Sequence, residues 1–292
     1  LGLTSPYLLI TEENIPMVRG ASQAYGLTFT PGTWIESIQI TKGMGTVVNG
    51  YESIAGQINT EIKKPFSDVP LFFNFFTSAN GRQEVNVHGN FKVNEKWSSG
   101  LFIHGNQRTQ KKDQNSDSFL DVPLAKQINI LNRWQYTDAE KGWVSFVNVR
   151  FLNDEKQTGE INFSPETDQR SLGFTALTGN EVWGSEIDTK RYEVAGKLGY
   201  VNPEIPWQSL GVQTAFSSHK QDSYFGLRQY DITHNSLYAN AIYNSIISDS
   251  RHKIKTGISY TYDHYDEFLD VENLDSNYKR TENSVGAFFE YN

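Results

Sequence analysis

The sequence predicts an all-β membrane protein, in which an antiparallel β-barrel wall follows a small separate domain. From residue 69 onward, apolar and polar residues alternate in about ten segments of roughly 10–13 residues, the length that a tilted strand needs to cross a bilayer. The connections between these segments alternate between short and long, as in outer-membrane barrels. Phe, Tyr and Trp make up 13% of the chain, and barrels place such side chains at both membrane interfaces.

The composition of the chain excludes several other kinds of protein and site. The 292 residues include no cysteine, which excludes a disulfide-stapled module, thiolate metal sites and a cysteine nucleophile. A net charge of −8 argues against nucleic acid as a partner. A mean hydropathy of −0.53 and the lack of any long apolar run exclude a transmembrane helix. The opening residues, LGLTSPYLLI, lack the features of a signal peptide, so we expect a mature or shortened chain.

The first domain contains two short alternating segments that flank a glycine-rich loop. These segments, 35–40 and 57–62, predict two strands of a small sheet that each bury one face. The loop is not a phosphate cradle, because it lacks the G-x-G-x-x-G spacing and no helix follows it. Earlier in the chain, Tyr7–Ile10 predicts a short buried strand, and Gly and Pro divide residues 16–32 into loops.

The stretch from Trp34 to Lys64 resembles the end of the plug domain of TonB-dependent outer-membrane receptors. The run 47–54 is most similar to the receptors of Bacteroidetes-type bacteria. The resemblance implies that residues 1–66 are the C-terminal part of an α+β plug. Residues 67–292 are then the N-terminal part of a barrel, under half of its 22 strands. The matching residues are Glu36, Ser37, Ile38, Ile40, Lys42, Gly43, Val48, Gly50, Ser53, Ile54, Ala55, Gly56, Ile58 and Asn59.

The predicted wall alternates most clearly at 192–200, 210–216 and 254–263. We expect the apolar side chains of these strands to face lipid and the polar ones to face the lumen. The connection at 79–82 is short where a long one is expected, and the sheet is expected to continue beyond Asn292. Short turns are predicted at 94–96, 138–141, 202–206 and 248–250, and long polar loops at 109–123, 154–189, 219–234 and 266–278.

Two groups of residues raise the question of a metal site. Counting across the turn at 94–96 places His88 opposite Phe102 on the lumen side, with His104 diagonal to it, either as polar lining or as a metal-touching pair. Residues 113–121 carry the oxygen spacing of a calcium loop but lack its Gly and its final Glu, which favours a solvated acidic loop. We therefore expect no metal site and no cofactor, with loop calcium as the alternative.

The resemblance implies active transport rather than catalysis, and no catalytic motif such as G-x-S-x-G or H-E-x-x-H occurs. The protein is expected in the outer membrane of a Gram-negative bacterium, where it imports a scarce nutrient, above all an iron–siderophore or other metal chelate. The other expected partners are outer-membrane lipid, including lipopolysaccharide, and the TonB–ExbB–ExbD complex, which acts on a plug N-terminus absent from this chain.

Alternatives to a chelate receptor are a glycan or cobalamin importer of the same family and a receptor-like scaffold or adhesion component without transport. A passive porin would not need the plug-like stretch.

Candidate ligand contacts come from the aromatic and polar residues of two predicted loops. They are Arg19, Gln23, Tyr25 and Phe29 in the first loop, and Tyr224, Arg228 and Tyr230 in the second.

Overall fold

The computed structural model describes residues 7–168, 182–271 and 274–292 and contains two sheets. A four-stranded sheet with its loops, residues 7–62, forms what we call the inner domain. A ten-stranded antiparallel sheet, which we call the wall, follows it and forms part of a barrel. No helix in the described ranges is long and apolar enough to cross a membrane.

The wall is a simple meander in which each strand pairs with its neighbours in the chain, in the order β14-β13-β12-β11-β10-β9-β8-β7-β6-β5. The predicted number of about ten strands is confirmed. A single turn of helix, Pro165–Asp168, lies between β9 and β10. The strands are β5 (Leu71–Thr77), β6 (Arg82–Lys92), β7 (Trp97–Arg108), β8 (Leu124–Asp138), β9 (Trp143–Gly159), β10 (Gly184–Val201), β11 (Ser209–Phe225), β12 (Arg228–Ile247), β13 (Asp249–Val271) and β14 (Leu274–Tyr291).

The two faces of the wall differ as the alternation predicts. On the outer face, large apolar side chains are left uncovered: Leu210 is 47% exposed, Phe216 46% and Ile258 64%. On the inner face, the side chains between them are polar and buried, among them Gln213 and Ser217. Exposed apolar side chains in such a continuous band are expected only where the surrounding medium is itself apolar.

Aromatic residues mark both borders of the apolar band on the outer face. At the end of the wall with the short turns, the rings of Trp143 and Tyr200 are 4.7 Å apart. At the other end of the same strand pair, the rings of Phe151 and Tyr192 are 5.2 Å apart. The eight residue steps between these two pairs span roughly 26 Å along a strand. Paired aromatics at that spacing are typical of the two interfaces of a membrane barrel.

The inner domain is a sheet of order β2-β1-β4-β3 that rests on the inner face of the wall. The predicted strands are confirmed, but β3 does not bury a face: Ile38 is 56% exposed and Ile40 68%. β3 lies at the edge of its sheet, and none of the described residues covers its apolar side. Between the strands lie short 3-10 helices. The strands are β1 (Leu8–Glu12), β2 (Ile15–Val18), β3 (Ile35–Lys42) and β4 (Gly56–Ile62).

Two of the four long loops predicted for the wall are wrong. Strands β11 and β12 continue to a two-residue turn at Gly226 and Leu227, and β13 and β14 likewise continue to residues 271 and 274. These strand ends project past the apolar band, so both of their faces carry polar side chains, which in sequence resemble a loop. The long connection between β7 and β8 is confirmed, as is the short one between β5 and β6. The loop predicted at 154–189 is shorter than expected, because β9 runs to Gly159 and β10 begins at Gly184, and its residues 169–181 lie outside the described ranges.

Trp34 and the segment after β4 fasten the inner domain to the first wall strands. Trp34 is fully buried in an apolar cluster that includes Phe102 and Leu131 of the wall. In the following segment, Asp68 lies 2.8 Å from the imidazole of His88 on β6. The inner domain is thus joined to the wall by packing as well as by the chain itself.

Candidate functional site: the contact between the inner domain and the wall

The turn between β1 and β2 presents two carboxylates to the wall. Glu13 and Asn14 both have positive φ (55° and 59°), which gives the tight turn of a two-residue hairpin. Glu12 lies 2.6 Å from the guanidinium of Arg150 on β9. Glu13 lies 2.9 Å from the guanidinium of Arg133 on β8. Successive acidic residues therefore contact successive strands of the wall.

A buried network extends the contact at Glu12 along the wall. The second guanidinium nitrogen of Arg150 lies 3.2 Å from Glu193 on β10. Arg191 binds the other oxygen of Glu193 and donates to the carbonyl oxygen of Met17 on β2, at 2.6 Å. Charges this deeply buried are tolerated because each has a partner of opposite charge. Separating the two domains would leave these charges unpaired unless water reaches them. The ion pairs therefore hold the inner domain firmly only while water is excluded from the contact.

Glu13 sits in surroundings that favour its protonated form. Burial and the neighbouring carboxyl of Glu61 raise the pKa of Glu13 to about 7, although Arg133 acts in the opposite direction. Arg133 and Lys197 face Glu13 from the wall, and Lys64 approaches it from the segment after β4. Because the pKa lies near neutrality, the charge at this contact changes over an accessible pH range.

We expect docking of the inner domain to weaken as the pH rises. A carboxyl whose folded-state pKa is raised from 4.5 to about 7 stabilises the fold fully below pH 4.5, and that stabilisation is lost as the pH rises through 7. The difference amounts to at most about 3 kcal/mol. Thermal unfolding of the inner domain, followed at pH 5 and pH 8, should show it, and Glu13→Gln should abolish most of it. Identical pH dependence in both proteins would contradict the assignment.

Arg19, predicted as a ligand contact, ties the upper part of the inner domain to the wall. Its guanidinium lies 2.8 Å from Glu52 in the inner domain and 3.1 Å from Asp263 on β13. His234 on β12 lies 2.9 Å from the other oxygen of Asp263. Arg19 is only 7% exposed. Its charge is therefore already committed to the contact between the two domains.

The three other candidates in the first loop differ in their access to solvent. Phe29 is 2% exposed, and its carbonyl oxygen accepts a hydrogen bond from the side-chain amide of Asn129 on β8, at 2.5 Å. Tyr25 and Gln23 are partly exposed. The ammonium group of Lys156 on β9 lies 5.2 Å from the centre of the Tyr25 ring, and burial raises the pKa of Tyr25. Tyr25 and Gln23 are thus the two candidates that a bound molecule could touch directly.

The second set of candidates does not form one surface. Tyr224 is on the outer face of β11, where its hydroxyl donates to Glu186 at 2.9 Å. Arg228 and Tyr230 have the opposite orientation, because they alternate with the outward-facing Gln229, the direct partner of Tyr224. Of this set, only Arg228 and Tyr230 share the inner face with the first loop.

In the structure, the two groups of residues considered as metal sites have other partners. His88 lies opposite Phe102 on the inner face, as predicted, and is stacked on Phe72 at 4.7 Å. His104 contacts the side-chain oxygen of Asn86 at 2.7 Å. In the loop 113–121, the carboxylates accept hydrogen bonds from the backbone N–H groups of the loop itself. Within the described ranges, no three His, Asp or Glu side chains are arranged to hold a metal ion.

The arginines that form the ion pairs with Glu12 and Glu13 were not singled out by the sequence. Arg133, Arg150 and Arg191 lie on three different strands, and nothing in their spacing connects them with Glu12 or Glu13. One signal does exist, because each arginine occupies an inward position in an alternating strand. A charged side chain that is buried in the lumen needs a partner of opposite charge, which the domain that fills the lumen can supply.

Comparison with known proteins shows the fold and not a sequence family. No family model matches the chain, and no curated protein matches it either. Three solved structures are similar to 97–99% of the chain, with TM-scores of 0.68–0.73 and identities of 11–12%. The chain spans 42–48% of their lengths. They are the ferripyoverdine receptor of the outer membrane of Pseudomonas aeruginosa, the siderophore receptor PiuA from Acinetobacter baumannii and the copper transporter OprC.

Proposed function

We propose that this chain forms the end of the plug and the first part of the barrel of a TonB-dependent uptake receptor in the outer membrane of a Gram-negative bacterium. The observation that carries the proposal is an inner domain that is bound by buried ion pairs to the polar face of a partial barrel with an apolar outer face. A domain held this way closes the lumen yet can be released, since the ion pairs regain water once they are exposed.

The cargo we propose is a metal chelate, most specifically an iron–siderophore. Receptors for ferripyoverdine and other siderophores share this fold, as does a copper transporter. The loop end of the lumen offers the partly exposed ring of Tyr25 beside the ammonium of Lys156, which also pairs with Asp154 on the same strand. An aromatic ring next to a cation suits a planar, anionic metal-binding group. Release would follow a pull on the inner domain by the TonB complex. The likeness to Bacteroidetes-type receptors stays a prediction.

Mass spectrometry and elemental analysis of the receptor purified from its own membrane test this proposal. We expect a co-purified small molecule together with iron or another transition metal, and protection of residues 19–33 from proteolysis when the chelate is added back. Tyr25→Ala should weaken retention of the chelate about tenfold. Tyr192→Ala, a ring on the outer face, serves as the control and should leave retention unchanged.

Other results would point to the rival functions. A metal-free carbohydrate would indicate a glycan importer, and cobalt in a corrin would indicate a cobalamin importer. A scaffold or adhesion component predicts that nothing co-purifies and that the loop 19–33 gains no protection. Chelate uptake would be contradicted if no small molecule co-purifies, or if the loop 19–33 gains no protection, and Tyr25→Ala in addition retains added chelate as well as the unmodified receptor does.

A further inference from the structure

A cavity of about 460 Å³ separates the inner domain from β11, β12 and β13 at the end of the wall with the short turns. We call it the amide cavity, because side-chain amides and hydroxyls from both domains form most of its lining. It lies near Ser209, where β11 begins, and Ile247, where β12 ends. The lining includes Gln39, Thr41, Gln57 and Asn59 of the inner domain and Gln213 and Asn244 of the wall.

Beside the amide cavity, the inner domain packs directly on the wall. Gln213 is paired with Lys197 on β10, and Lys197 is paired with Phe146 on β9, so the three side chains form one row of the inner face. Phe146 is buried in an apolar cluster with Ile15. The ammonium of Lys197 donates to the carbonyl oxygen of Glu13, at 2.7 Å. This row is thus filled on β9 and β10 and borders open space at β11.

A second cavity, of about 270 Å³, continues the gap toward the loop end of the wall. It lies between the segment 47–52 and strands β12 to β14, and Val48 lines both cavities. Glu52, the partner of Arg19, also lines the second cavity. A gap therefore runs along the wall from the contact at Arg19 to the end with the short turns. The wall side of the second cavity includes the hydroxyl residues Ser259, Thr261 and Ser284.

The amide cavity carries little net charge. Among the described residues that line it, the one charged side chain is Lys255 on β13. Glu290 on β14 lies directly opposite Lys255 and accepts a hydrogen bond from the side-chain amide of Asn292, at 2.7 Å. On β4, beside the cavity, Glu61 lies 3.8 Å from Lys64. These carboxylates and cations balance one another, so neither sign of charge dominates the cavity.

Such a lining suits the passage of a polar solute. Amide side chains both donate and accept hydrogen bonds, so they can replace the water that a solute loses. A passage must bind its solute well enough to admit it and weakly enough to release it, and an excess of one charge would hold a charged chelate. On β8 and β9, by contrast, a passing solute would have to separate the buried ion pairs of Arg133 and Arg150.

We propose that the cargo leaves the receptor along β11 to β13, through the amide cavity, once the inner domain is pulled away from the wall. The inference rests on the proposed function, because only a transported solute needs an exit. At about 460 Å³ the cavity already has the size of a small-molecule site, and displacement of the inner domain widens it. The next inward position on β11 is Gly211, where a Cβ atom would meet only the carbonyl oxygen of Ile242, at 4.0 Å. The wall itself thus leaves the route open.

Two glutamines in the same row of the inner face provide a matched test of this route. Gln213→Trp fills the amide cavity. Gln135→Trp places the same ring on β8, on the far side of Lys197 and Phe146, away from the cavity. Asn244→Trp fills the cavity from β12 and serves as a second variant. The probe is the chelator that co-purifies with the receptor, reloaded with radioactive iron.

We expect Gln213→Trp and Asn244→Trp to slow uptake of this probe by cells about tenfold, because a narrower passage limits the rate. Uptake is expressed per receptor recovered in the outer membrane. Both purified variants should retain the probe as well as the unmodified receptor does, since the loop end of the lumen is unchanged. Gln135→Trp should be normal in uptake and in retention.

Normal uptake by both cavity variants would overturn the inference, and so would equal slowing by Gln135→Trp. The outcome is separable from that of the proposed function, because retention and uptake are measured on the same variants. A receptor that retains the probe and still transports it at the normal rate with the cavity filled would contradict the exit route alone. An unmodified receptor that retains no chelate would contradict the proposed function, and the exit route with it.

Discussion

Replacement of Arg150 by methionine is expected to loosen the inner domain and to open a leak through the barrel. Arg150 is only 5% exposed and is bound to Glu12 of the inner domain and Glu193 of the wall. Methionine fills much of the same volume but leaves the carboxylate of Glu12 buried without its partner. Breaking a buried pair in this way costs about 3–5 kcal/mol, the largest effect we expect from one substitution at this contact.

Hydrogen exchange of the amides in β1 and β2 measures the loosening, and susceptibility of the cells to a large hydrophilic antibiotic measures the leak. Both should rise in Arg150→Met. Adding Glu12→Gln should restore part of the protection, because the unpaired charge is then gone. Arg251→Met is the control: that side chain is 83% exposed and its ion pair is with Asp249, two residues away on the same strand. If the amides of β1 and β2 are as well protected from hydrogen exchange in Arg150→Met as in the unmodified protein, the buried ion pairs do not hold the inner domain.

The wall was predictable because each of its strands shows the same alternation of apolar and polar residues. In the segments around Leu210 and Ile258, apolar residues recur at every second position, and a strand in a membrane barrel has no other way to meet lipid and lumen at once. The same rule predicted the pairing of His88 with Phe102 across a short turn. These inferences depend only on neighbours along the chain or across one turn.

The candidate site could be predicted only in part, because its contacts join distant parts of the chain. Arg19 resembles a ligand contact in sequence, since it precedes a loop rich in Gly and aromatic residues. Its partner Asp263 is 244 residues away, and no local pattern connects the two. The polar ends of β11 to β14 misled for a different reason, since strands outside the membrane lose the alternation that reveals them.

Locking the inner domain to the wall is expected to stop uptake completely. Met17 on β2 and Ala215 on β11 belong to one buried apolar cluster. The chain contains no cysteine, so Met17→Cys with Ala215→Cys would introduce the only thiols in it. A disulfide between them resists pulling far better than ion pairs do, because a covalent bond must break before the domains separate.

A second pair of cysteines, placed within the wall, distinguishes the effect of tethering the inner domain from the effect of introducing a disulfide. Val212 on β11 and Ala241 on β12 are direct partners within the wall. Val212→Cys with Ala241→Cys therefore forms a crosslink that leaves the inner domain free to move. Thiol labelling before and after reduction reports how much of each disulfide has formed.

Uptake of a radiolabelled iron chelate by cells that carry the Met17→Cys and Ala215→Cys pair tests most directly whether the inner domain is the gate. We predict no uptake while the disulfide is formed, full uptake after reduction, and normal uptake under both conditions for the wall pair. Continued uptake by cells in which the lock is fully oxidised would show that cargo passes without movement of the inner domain, and would contradict the proposed mechanism.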